Sequence, residues 1–297
     1  MLMQAHAYEP FLPAQTIAAR WLAHKAVLSL YEELQLFPKP GLVSMQDSGS
    51  HDDMDAELML RSLFSLRHYF AQCVLAGAQD ASFDMLRSAG LNAERRMLHA
   101  TGGINTHRGA VFALGLLAAS AGACLAAGLR LTPAHLRTQL LTRWGAGLQA
   151  HAGVPDTVQT HGAAACRRYT LGGARQEAAN GFPSVFELAL PRLQSNLARG
   201  LTVAAAQTDV LFHLIAASED TNLYHRGGAN GAAFAREQAA AFLQQGGVHT
   251  EDWPQRALAC HRAFVARRLS PGGAADLLAA TWFAHLVCTS DLPAQRI

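Results

Sequence analysis

The stretch GAVFALGLLAASAGACLAAGL, residues 109–129, holds 21 positions without a charge between Arg108 and Arg130. Length alone permits a membrane span. The content argues against one. Ala, Gly, Ser and Cys dominate, and small side chains give little transfer free energy while letting helices approach closely. The stretch therefore reads as a helix apolar on all sides, buried in the core of a soluble helical protein.

The flanking sequence agrees. Helix formers dominate and β-branched runs are nearly absent. Apolar spacing predicts helices over 14–36, 53–77 and 84–98, and again over 186–201, 203–217, 231–245 and 274–287. Thr132-Pro133 reads as a capped helix start with proline at the first helical position. Residues 145–174 are punctuated by glycines. No repeat, low-complexity tract or long linker divides the chain, so residues 1–297 read as one large all-α domain, with 1–13 a flexible N-terminal segment.

Composition narrows the class. Apolar residues make up 50% and charged ones 15% of the 297 residues, against the ~25% charged of an ordinary soluble domain. Disorder is excluded as the main state. The net charge of +2, with no basic block longer than a pair, excludes a nucleic-acid footprint. Lys25 and Lys39 are the only lysines among 24 basic residues; the rest are Arg, whose planar fork grips phosphate or carboxylate. The five cysteines never fall in a CxxC spacing, which points to a reducing, cytoplasmic setting and away from structural zinc. No signal-peptide pattern precedes Glu9 and Pro10.

Polar residues cluster with glycine in six loops: Lys39 to Val43; Ser48 to Met54; Gly102 to Gly109; Gly173 to Pro183; Asp220 to Gly228; and Ser270 to Asp276. Several precede helices, where free N–H groups and the dipole favour an anion. Each has an ordinary reading too. Asp53, Asp55 and Glu57 are plausible dipole complements in a first turn. Asn105 or Thr106 is a plausible cap, leaving His107 and Arg108 in solvent. Arg175 and Glu177 suit a surface pair, Asp220 a loop charge, and Ser270-Pro271-Gly272-Gly273 a turn. The His51-Asp52 pair also suits an all-α metal-dependent hydrolase of nucleotides or ADP-ribose. A phosphate loop, a dinucleotide fingerprint, HExxH and GxSxG are all missing.

In order and spacing, the six loops resemble those of the triphosphoribosyl-dephospho-coenzyme A synthases over about residues 39–283. Lys39-Pro40-Gly41-Leu42-Val43 matches, as do His51, Asp53 and Met54; Asn105-Thr106-His107 and Gly109; Arg175, Glu177, Gly181 and Pro183; Asp220-Thr221-Asn222 with Arg226-Gly227-Gly228; and Leu269 to Gly273 with Asp276. Arg108 stands where the citrate-lyase branch often has Lys, Gln176 replaces a Gly, and Ala274 a frequent Ser. Ser48-Gly49-Ser50-His51 is more similar to the malonate-decarboxylase branch.

The resemblance implies a transferase that makes 2′-(5″-triphosphoribosyl)-3′-dephospho-coenzyme A and adenine from ATP and 3′-dephospho-coenzyme A. It breaks the glycosidic bond and leaves the triphosphate on the ribose. It further implies Mg²⁺, a product passed to an acyl-carrier-protein holo-transferase, and no nucleic-acid or membrane partner; a homodimer is compatible with it. On this reading Asp53 is base or oxocarbenium stabiliser, oriented by His51, and Glu177 is a second catalytic carboxylate. Asp53, Glu177 and Asp220 are the metal candidates. Lys39, Arg108, Arg175 and Arg226 hold phosphates; Asn105, Thr106, His107 and Asn222 position ribose or base; Ser270, Gly272 and Gly273 present a helix N-terminus to an anion.

Overall fold

The computed structural model describes residues 13–154, 161–169 and 171–292, and every regular element among them is helical. The expected flexible segment over 1–13 lies outside the described residues except for Pro13, which opens the first helix, α1 (Pro13–Gln35). There follow α2 (Ala56–Ser65), α3 (Arg67–Ala78), α4 (Phe83–Ala100), α5 (Arg108–Ala126) and α6 (Pro133–Gly153). The second half holds α7 (His161–Tyr169), α8 (Gly173–Ala179), a π-helical turn (Ser184–Ala189), α9 (Leu190–Ala198), α10 (Val203–Ala217), α11 (Thr221–Gln244), α12 (Trp253–Ala266) and α13 (Gly272–Thr289).

The decisive stretch forms α5. By length and composition it would suit a membrane, yet 78% of that apolar window is buried inside the fold. Its small residues explain how. A Cβ built on Gly122 would fall 2.0 Å from the Val74 carbonyl oxygen of α3, and one on Gly77 would fall 1.9 Å from that of Ala119. The two backbones touch where side chains are missing.

Two apolar cores result. The first gathers α1 to α6 around α5; the second gathers α9 to α12. Helix α13 is the shared wall: Ala279, Ala280, Phe283 and Val287 face the first core, while Ala274, Leu278 and Trp282 face the second. Its N-terminus therefore emerges at the seam.

Local departures from the expected helices have identifiable causes. The helix expected over 53–77 is broken at Leu66, where Ser65 Oγ donates to the Ser62 carbonyl at 2.6 Å and Leu66 N reaches back to Leu63. Leu66 then fills the core, fully buried. The span 186–201 splits because Pro191 has no N–H to extend the ladder, and the widened π turn precedes it. The glycines at 145 and 147 lie inside α6, and Gly147 packs against Phe83. The helix read over 231–245 begins at Thr221, across a kink at Gly228 whose φ is 62°. Helix α12 is not among those that apolar spacing predicts: its buried face mixes Ala257, Cys260 and His261 with Phe264, and the polar His261 interrupts the apolar period. Thr132 does cap α6.

Candidate active site

Five of the six loops meet at the seam. Gly41 is in the left-handed region (φ 64°), and a Cβ there would lie 2.0 Å from the Leu269 carbonyl oxygen. Ser50 closes the same junction, its Oγ donating to the Leu269 carbonyl at 2.6 Å and its amide to the Gly41 carbonyl at 3.0 Å. Arg226 then ties the loops across: Nη1 donates to the carbonyls of Ser50 at 3.0 Å and Arg268 at 3.2 Å, and Nη2 reaches His51 Nδ1 at 2.9 Å.

That last contact fixes the state of His51. A guanidinium only donates, so Nδ1 is the acceptor, and Nε2–H donates to Ser270 Oγ at 3.0 Å. Burial, with the Arg226 charge second, lowers its pKa to about 4. Asp53 Oδ1 stands 3.6 Å from Nδ1, beyond hydrogen-bond reach, and its side chain is 60% exposed. His51 is thus anchored by Ser270 and Arg226 and does not orient Asp53 through a hydrogen bond.

Three helix N-termini share the floor. Asp220 caps α11, its Oδ1 accepting the Asn222 amide at 2.9 Å; its Oδ2 accepts the Ala274 amide of α13 at 3.0 Å. Asn222 lies alongside Gly272, and the Asp220 carboxylate alongside Gly273. Asp276, one turn into α13, reaches α5 and accepts the Ala110 amide. A Cβ on Gly109 would be 2.0 Å from Asp276 Oδ2. The glycines at 109, 272 and 273 are therefore close-approach positions.

Burial raises the pKa of both acids, Asp276 well above the ordinary carboxylate value. Amides of Ala274, Asn222 and Gly273 oppose the shift at Asp220; the charges of Asp220 and Glu33 reinforce it at Asp276. The matched loop pattern includes Asp276 and implies no role for it. The i, i+3 and i+4 geometry of a helix opening at Gly272 or Gly273 was the available signal.

The remaining residues are distributed as follows. Asn105 Oδ1 accepts the Arg108 amide at 3.2 Å, capping the start of α5. Arg108 Nε pairs with Glu94 of α4 at 3.0 Å. Thr106 Oγ1 lies 2.5 Å from Ser62 Oγ, which is 2.7 Å from His107 Nδ1. His107 is buried, its Nε2 has no partner among the described residues, and burial followed by the Lys39 charge lowers its pKa to about 4. Lys39 is wholly buried, its ammonium donating at 2.6 Å to both the Glu33 carboxylate and the Glu33 carbonyl. Its cation is paired internally with Glu33, where the resemblance implied a phosphate contact. Glu33 lies within α1 and belongs to none of the loop patterns.

The fourth loop joins only at its edge, where Gly173 approaches Thr221. Arg175 donates to the carbonyls of Val154 and His151 at the end of α6. Glu177 accepts the Ser184 amide at 2.8 Å, and burial raises its pKa. The three expected Mg²⁺ ligands therefore do not assemble. Glu177 serves the π turn, both Asp220 oxygens accept amides, and Asp53 stands at the rim. Among the described residues no group of three or more His, Cys, Asp or Glu could hold a metal ion. Asp53, Glu177 and Asp220 therefore form no shared three-carboxylate site among the described residues.

An all-α enzyme class with loops in this order is matched directly. The profile of the ATP:dephospho-CoA triphosphoribosyl transferase family covers residues 19–292, and the chain belongs to that family. A relative from Escherichia fergusonii, 34% identical over 93% of each chain, is named 2-(5''-triphosphoribosyl)-3'-dephosphocoenzyme-A synthase. Relatives from Acinetobacter calcoaceticus (38% identical; 86% of this chain and 87% of the relative) and Stutzerimonas stutzeri (39%; 90% and 91%) carry that name marked as probable. No solved structure matches the chain.

Proposed function

We propose that this protein transfers the triphosphoribosyl group of ATP to the 2′-hydroxyl of 3′-dephospho-coenzyme A and releases adenine. The observation that carries the reading is the meeting of the N-termini of α5, α11 and α13 around Asp220 and Asp276. The positive ends of the three helix dipoles, with Arg108 at the start of α5, suit a ligand with about four negative charges. Carboxylates in the same place suit the ribosyl cation that forms as a glycosidic bond breaks. Any Mg²⁺ arrives on the triphosphate as part of the substrate.

Asp53, exposed at the rim beside the anchored His51, takes the hydroxyl proton of the incoming acceptor. His107 offers its free Nε2 to the nucleotide. Arg108, partly exposed, is the cation nearest in sequence to the α5 terminus. The product is the prosthetic-group precursor for an acyl carrier protein, made in the cytoplasm and handed to a holo-transferase. The malonate decarboxylase branch is favoured over citrate lyase by Ser48-Gly49-Ser50-His51, whose last two residues lock the loop junction.

The test is mass analysis after incubation with ATP and 3′-dephospho-coenzyme A. The expected result is a product heavier by a triphosphoribosyl group, with one adenine released per product. Adenine release that ignores the acceptor would instead identify a hydrolase. Transfer of the product to the carrier protein of one lyase or decarboxylase by its holo-transferase reads the branch.

A further inference from the structure

At the start of α5 one polar atom is left over. The His107 ring is 3% exposed, and its Nε2 has no hydrogen-bond partner among the described residues. The other edge of the ring is held: Nδ1 lies 2.7 Å from Ser62 Oγ of α2, and Thr106 Oγ1 lies 2.5 Å from that same oxygen. The backbone is pinned too, the His107 amide on Met97 Sδ at 3.3 Å and its carbonyl on the Val111 amide at 2.8 Å. A buried polar atom without a partner is costly. A ring fixed on one edge and bare on the other therefore calls for a partner that the chain does not supply. The surrounding field decides its kind. His107 caps α5 at the positive end of the helix dipole, and the charge acting on the ring is the Lys39 ammonium. Both favour a lone pair over an N–H on the free nitrogen. The ring proton then sits on Nδ1 and is donated to Ser62, whose own hydroxyl donates to Thr106.

We propose that His107 Nε2 accepts a hydrogen bond from an N–H or O–H of the ATP nucleoside, its 6-amino group or a ribose hydroxyl, and that Ser62 is the positioning residue that keeps this nitrogen free to do so. This deepens the transfer reading above and rests on it for the identity of the ligand. It adds a selecting atom: a nucleotide that lacks the donor leaves Nε2 buried and bare. A site built to bond a polar group rejects an analogue without it far more strongly than it rejects a change of size. Ser62 lies within α2 and belongs to none of the six loops, so only the fold brings it to His107.

The experiment measures by calorimetry, without 3′-dephospho-coenzyme A, the binding of ATP, 2′-deoxy-ATP, 3′-deoxy-ATP and purine riboside triphosphate. At least one analogue, the one missing the donor, is expected to bind the wild type about tenfold or more weakly than ATP. That gap is expected to shrink at least about fivefold in His107→Phe. Analogues that all bind within about tenfold of ATP, or a gap that shrinks less, overturn the assignment and leave the nitrogen to an internal water. Should His107→Phe lose its folding transition, the gap is read in Ser62→Ala against the same threshold. Nitrogen-15 spectra of histidine-labelled protein read the tautomer. The Nδ1–H form is expected, with the Nε2 signal moving when ATP is added; an Nε2–H form, or an Nε2 signal that ATP leaves in place, overturns the proposal. Ser62→Ala is expected to bring in the Nε2–H form and to raise the KM for ATP about tenfold with kcat nearly unchanged. If either the spectrum or the KM stays as in the wild type, Ser62 does not position the ring. If the wild-type chain binds ATP but releases no adenine with the acceptor present, the transfer reading fails. If it releases adenine and rejects no analogue, only the His107 contact fails.

Discussion

Asp220 and Ala274 join two helices that the sequence keeps more than fifty residues apart: the carboxylate that caps α11 accepts the third amide of α13 at 3.0 Å. One side chain thus sets the angle at which two N-termini face the seam, and its loss removes both caps. A lost cap typically costs about 1 kcal/mol, up to ~2. Asp220→Ala is therefore expected to lower stability by about 2–4 kcal/mol in urea denaturation. Asp220→Asn, which keeps an oxygen for one amide, should fall between. A loss no larger than about 0.5 kcal/mol, ordinary for a surface change, would contradict the double cap.

Close approach of glycine to side chain and to backbone should have opposite signatures. Gly109→Ala forces Asp276, the free end of a side chain, to move. It is expected to cut adenine release sharply with a small change in melting temperature. Gly122→Val drives a side chain into the Val74 carbonyl of a neighbouring helix. Overpacking of that kind typically costs ~1–3 kcal/mol, and backbone cannot step aside, so a lower melting temperature is expected first.

Lys39 tests the internal pair. Lys39→Met leaves the Glu33 charge buried without its partner, and breaking a buried pair on one side costs about 3–5 kcal/mol. The double variant Lys39→Met, Glu33→Gln should recover much of that. If Lys39→Met instead folds normally and only raises the KM for ATP, the ammonium meets phosphate after all.

The buried histidines set an acid limit. Burial first, then a nearby cation, holds His51 and His107 near a pKa of about 4 in the fold, while unfolded histidine titrates near ~6.5. Below that value the unfolded chain binds more protons than the native one, so stability falls as pH drops from about 6.5 towards about 4. Melting curves across this window should show it. His107→Gln should flatten the slope. In Arg226→Lys, which cannot fork across the same acceptors, the His51 titration seen by NMR should move upward.

Asp276 carries the opposite sign. Its native pKa stands above the unfolded value, so the native state holds the extra proton and loses stability as pH rises through that range. Asp276→Asn is expected to melt higher than the wild type at pH 8. A lower melting temperature at that pH would contradict it.

Residues 109–129 settled the class by themselves, because 21 uncharged, small-rich positions between two arginines fit a buried helix in any packing. The loop order likewise carried the family, since glycine positions and the polar residues beside them are local features of the chain. What the chain alone could not say is which polar groups remain free after folding. Lys39 and Arg226 have the same charge in the sequence, but one is sealed against Glu33 and the other ties three loops. Asp53 and Asp276 are the same residue, but one stands in solvent and the other on a floor shared by three helix ends. Helical and turn propensities depend on neighbours in sequence. Burial, hydrogen-bond partnership and field depend on neighbours in space, and those were decided only when α5, α11 and α13 met.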